Sequence, residues 1–106
     1  MDDEAHEYTD DDVRLIRERL HILQAIHDAL QRWPEVSDVV HSSKSEQQAR
    51  RRLRELMGFD DVQAQAAMDT QLRRTSEHER ERISQQLNKM KDALAGALEQ
   101  QRRRRS

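Results

Sequence analysis

The sequence predicts an all-α protein, and three observations carry that expectation. Gly and Pro are scarce, at two and one, and aromatic residues make up only 3% of the chain. Long helices tolerate this composition, whereas sheets with tight turns need more Gly and more β-branched residues. Apolar residues recur at alternating three- and four-residue spacing in two long stretches, one near each end. Short polar junctions with capping chemistry separate the segments between them.

Taken in order, residues 1–10 form an acidic segment without apolar periodicity, expected as a mobile tail. A single helical domain is expected over 11–101. Its first helix runs from about Asp11 to Trp33, with Asp10, Asp11 or Asp12 as cap. Val13, Ile16, Leu20, Leu23, His27 and Leu30 make a heptad seam. Leu15, Ile22, Ile26, Ala29 and Trp33 make a second stripe beside it, so this helix has two things to pack against. Pro34 stops the helix and suits the first turn of a short second one carrying Val36, Val39 and Val40.

Ser45-Glu46-Gln47-Gln48 reads as a capping box. It opens a third helix to Met57, with Ala49, Leu53, Leu56 and Met57 inward. Gly58 is placed to end it in the left-handed conformation, with Phe59 folding back. Asp60-Asp61-Val62-Gln63 is a second capping box, opening a helix with Ala64, Ala67, Met68 and Leu72 on one face. Ser76-Glu77-His78-Glu79 is a third. The last helix carries Ile83, Leu87, Met90, Leu94 and Ala97 as a seam, with Leu98 extending the apolar face. The two seams predict an antiparallel two-helix coiled coil closed by a lobe of short helices. A basic C-terminal tail is expected over 102–106.

Hydrophobic residues are only 34% of the chain and charged residues 38%. A chain of 106 residues with so few apolar groups buries little core alone. A second copy supplies more, so a homodimer is expected. There is no Cys, hence no disulfide and no thiolate metal site. No apolar run is long enough for a membrane span or a signal-peptide core, and a cytoplasmic location follows by default. The net charge of −2 gives no global attraction to nucleic acid.

Three blocks stand in an order that carries more information. They are Arg19-Leu20-His21-Ile22-Leu23-Gln24-Ala25, then Gly58 through Asp69, then Glu79-Arg80-Glu81-Arg82-Ile83. Between the first two lie Glu35 through Val40 and the turn Ser42-Ser43-Lys44. Together they resemble the coiled-coil and exit-gate region of bacterial DNA gyrase A and of its topoisomerase IV relative. The likeness covers roughly 13–98 and needs no gap between Gly58 and Ile83. Thr70, Thr75 and His78 depart from it, standing where the family is usually apolar.

That region is a dimerisation device. The resemblance therefore implies a homodimeric module whose interface uses Phe59, Ala64, Ala67, Met68, Gln71 and Leu72. A gyrase or topoisomerase IV subunit is implied as a further partner. Strand passage in the family needs a tyrosine preceded by arginine and a separate acidic metal site. The one tyrosine, Tyr8, stands in Glu7-Tyr8-Thr9 and matches neither. The wrapping β-domain has no counterpart here. The chain is expected not to be an enzyme and to need no cofactor.

Two arginine clusters support an alternative, a small DNA-associating protein with weak phosphate contact through Arg50, Arg51, Arg52 and Arg102, Arg103, Arg104, Arg105. The plainer reading is that the first cluster fans around a helix into solvent. The second is then neutralised by the acidic start lying beside it. His27 is expected as a buried, hydrogen-bonded seam residue. The five histidines have no metal-like spacing.

Overall fold

The computed structural model describes residues 7–71 and 77–105, and they form five helices: α1 (Asp10–Gln31), α2 (Trp33–Ser42), α3 (Glu46–Met57), α4 (Asp61–Gln71) and α5 (Glu77–Arg105). No strand occurs among the described residues. The all-α expectation is met.

α1 and α5 lie side by side and run in opposite directions. At one end the Tyr8 amide donates to Gln100 Oε1 (2.7 Å) and Gln101 Nε2 donates to Asp10 Oδ1 (2.9 Å). Further along, Leu23 faces the stretch around Met90, and Leu30 faces the stretch around Ser84. The seam between them is thin. Val13, Leu30, Leu87 and Ala97 are buried. Ile16, Leu20, Leu23, Ile83, Met90 and Leu94 are half-buried.

The main core sits at the other end, where α1 meets α2, α3 and α4. Its members include Ala25, Ala29, Val36, Leu53, Phe59, Ala64, Ala67 and Met68. Half of these are alanines, which let helix backbones approach closely but bury little area each. Leu53 and Val36 are the largest fully buried side chains.

The junctions differ from expectation in detail. Thr9, not an aspartate, caps α1: its Oγ1 accepts from the Asp12 amide and Asp12 accepts from the Thr9 amide, a closed capping box. Residues 7–9 thus lead directly into α1, and the rest of the acidic segment, residues 1–6, lies outside the described residues. α1 ends at Gln31 and Trp33 opens α2, because Pro34 in a first turn has no donor to lose. Ser45 caps α3 as expected. Gly58 ends it at φ +72°, and Phe59 behind it is buried. Asp60 and Gln63 form the second capping box with reciprocal bonds of 3.1 and 2.8 Å. The third box includes Ser76, outside the described residues. Arg102 to Arg105 are not a separate tail but continue α5, where cations suit the helix C-terminus.

Candidate protein-interaction site

The small-residue face of α4 is the expected contact between copies, and within the single chain most of it is turned inward. Phe59, Ala64, Ala67 and Met68 are packed inside the chain's own core, Met68 with only 5% of its surface exposed. The physical reason is the shortage of apolar side chains: α1, α2 and α3 pack over this face and with it close the lobe core. Gln71 belongs to α4, but its side chain and the whole of Leu72 lie outside the described residues.

The outer face of α4 is the one left open. Val62, Ala66 and Asp69 follow four- and three-residue spacing on one stripe, and Val62 is 57% exposed. They line a shallow depression of about 720 Å³ shared with Ile22 of α1 and with Arg50 and Arg54 of α3. In the sequence Val62 reads as part of a capping box and of the Gly58–Asp69 block, with no sign that it is exposed. Its exposure depends on which side of α4 the lobe covers.

Polar contacts hold this surface in shape. Arg50 Nη1 donates to Gln65 Oε1 (2.9 Å), tying α3 to α4. Arg54 Nη1 meets Asp61 Oδ1 at 2.7 Å. Arg52 is differently engaged: its Nη1 donates to Ser42 Oγ and Ser43 Oγ (both 2.9 Å) and to the Val39 carbonyl (3.3 Å). It thereby stitches the end of α2 to α3. Of the expected phosphate contacts in this cluster, Arg51 is exposed, while Arg50 and Arg52 hold the lobe together.

The second cluster is neutralised within the chain. Arg102 and Arg103 both meet Glu99 Oε1, at 2.6 and 3.3 Å. The hydrogen bond from Arg102, followed by the charge of Arg103, holds the Glu99 carboxyl below its ordinary pKa. Arg104 reaches Glu7 (3.8 Å) and Arg105 reaches Asp10 (3.7 Å) across the helix pair.

One contact between arm and lobe has no local signal in the sequence. The His21 imidazole of α1 lies 2.5 Å from Asp60 Oδ2. The Gln63 side-chain amide donates to the His21 carbonyl at 3.0 Å. The Gln63 backbone N–H, then the His21 ring, hold the Asp60 carboxyl below its ordinary pKa. His27 departs from expectation. Its Nδ1 is buried yet has no hydrogen-bond partner among the described residues; Asp28 Oδ1 at 3.6 Å is too far.

Among the described residues no helix is long and apolar enough to cross a membrane, and no three His, Cys, Asp or Glu side chains cluster as metal ligands would.

No family model matches the chain. Individual proteins do. The DNA gyrase A protein of Mycolicibacterium smegmatis is 40% identical over 83 residues, 78% of this chain and 10% of that protein. The DNA gyrase A protein of Mycobacterium tuberculosis matches to the same extent. That of Treponema pallidum is 33% identical over 88 residues, 83% of this chain and 11% of its own length. Over the matched residues the chain is similar to one segment of DNA gyrase A, and it spans only about a tenth of the length of these relatives.

Proposed function

We propose that the chain is a non-catalytic, homodimeric interaction module built like the exit gate of gyrase A, and that it associates with a type IIA topoisomerase. The observation that carries this reading is the kinship with a short segment of gyrase A, on a fold whose apolar core is concentrated in one small lobe. The outer face of α4 supports it. A centre of Ile22, Val62 and Ala66 is bordered by Arg50 and Arg54 on one side and Asp61 and Asp69 on the other. A face bearing both signs of charge meets no net like-charge repulsion from a second copy of itself about a two-fold axis, the geometry of an isologous contact.

The absence of enzymatic activity belongs to the same proposal. Tyr8 has its backbone engaged with Gln100 at the arm end, far along the helix pair from the lobe. The DNA-associating alternative draws less support, since Arg50, Arg52, Arg54 and Arg102 to Arg105 already meet partners of this chain.

Sedimentation equilibrium over a concentration series tests the dimer. A mass near twice 12.6 kDa is expected, and a mass that stays at 12.6 kDa throughout removes the reading. Capture of a gyrase or topoisomerase IV subunit on the immobilised chain tests the wider association.

A further inference from the structure

We propose that the groove between α1 and α5 is a docking site for an acidic amphipathic helix of another protein. The groove has a volume of about 470 Å³ and a floor of Ile22, Leu23, Ile26 and Met90. Arg19 stands on one wall and Lys89 on the other, and no carboxylate lines it. This site lies on the arms and adjoins the outer face of α4, with which it shares Ile22, but it does not rest on the dimer proposed above.

The geometry selects the kind of occupant. Leu15, Arg19, Ile22 and Ile26 follow one stripe of α1, and Leu15 is 45% exposed. From Leu15 to Ile26 the stripe runs about 16 Å, three helical turns. On α5, Gly96 lies two turns beyond Lys89 on the same face, and a Cβ there would meet nothing within 4 Å. The groove itself spans Arg19 to Ile26 on α1, about 10 Å, which matches the reach of a helix presenting anchors at i, i+4 and i+7.

Charge selects its composition. Arg14, Arg32, Arg54 and Arg102 to Arg105 each meet a carboxylate of this chain. Arg19 and Lys89 form no ion pair among the described residues, although the chain has 21 acidic residues. Two cations on opposite walls of an apolar floor, with no carboxylate lining it, favour carboxylates flanking the incoming anchors and repel a basic helix.

The test uses the full chain and two labelled synthetic helical peptides. Both carry leucines at i, i+4 and i+7; one has glutamates flanking them and the other lysines. Fluorescence anisotropy should show binding of the glutamate peptide, weakened by salt, and none of the lysine peptide. Arg19→Glu and Lys89→Glu should each weaken it about tenfold or more. Both residues are exposed, and circular dichroism checks that the fold is kept. Arg51→Glu, exposed on α3 and outside the groove, should leave binding unchanged.

Three outcomes overturn the proposal. One is equal binding of both peptides, or none. The second is loss of a dimer in Lys89→Glu without any peptide, which would assign the groove to a second copy. The third is binding that appears only when residues 1–6 are deleted, which would assign it to the chain's own acidic start.

Discussion

His21 and Asp60 are 39 positions apart, yet the imidazole nitrogen of one lies 2.5 Å from the carboxylate of the other. Asp60 also caps α4 by accepting from the Gln63 amide. One carboxylate therefore starts a lobe helix and fastens it to the arm. Asp60→Asn should lower the thermal midpoint, and Asp60→Ala should lower it further by removing the cap acceptor. The sign of the pH dependence follows from the depressed pKa. Its stabilisation is present above the ordinary carboxylate value and is lost as pH falls through the lowered value in the folded chain. Acid unfolding curves should show a smaller acid-side loss for Asp60→Asn than for the native chain.

The outer and inner faces of α4 should respond differently to charge. Met68→Glu places an unpartnered carboxylate in the lobe core, and a cost of several kcal/mol is expected. It should unfold the lobe at ordinary temperature by circular dichroism. Val62→Glu should keep the native spectrum but lower the mass seen by sedimentation. A Val62→Glu chain that dimerises as well as the native one would remove the outer face of α4 from the interface.

Gly58→Ala tests the turn between α3 and α4. A Cβ there meets no atom within 4 Å, so crowding is not the obstacle. The obstacle is the positive φ of 72°, which disfavours any L-residue with a side chain. The variant should be destabilised by about 1–2 kcal/mol, read as a lower urea midpoint with unchanged slope.

His27 offers a gain. Its Nδ1 is buried without a hydrogen bond among the described residues, beside the half-open α1–α5 seam. Replacing it by Leu removes a desolvated polar atom and adds apolar contact. A stabilisation of about 1 kcal/mol is expected by urea titration. A destabilised His27→Leu would mean that the imidazole has a stabilising role in the native chain.

The paired ends give the last prediction. Glu7→Gln together with Asp10→Asn removes the carboxylates that meet Arg104 and Arg105. Non-specific DNA affinity should rise at low salt and vanish at high salt. Stability should change little, because exposed ion pairs contribute about 0–1 kcal/mol each. Unchanged DNA binding in a mobility-shift assay at low salt would show that the arginines have no part in it.

Much of this fold is legible in the chain because its signals are local. A capping box needs only four consecutive residues, which is why Ser45 and Asp60 stand out. The Thr9–Asp12 box is equally local, but the three aspartates after Thr9 are competing caps and hide it. Gly58 announces its left-handed turn, and heptad spacing announces the two long helices. Kinship with gyrase A is also a property of the sequence, carried by blocks in order.

Which apolar face is covered, and by what, emerges only when the helices pack. The spacing of Ala64, Ala67 and Met68 defines a stripe but not its neighbour, and a stripe facing its own lobe looks the same as one facing a second copy. The same holds for charge: nothing local pairs Arg52 with Ser42 and Ser43, or His21 with Asp60, until the helices are brought together. Helices, their ends and the likeness to a segment of gyrase A can be read from the order of residues, because each is written in consecutive stretches of the chain. The open faces cannot, because burial depends on every helix at once.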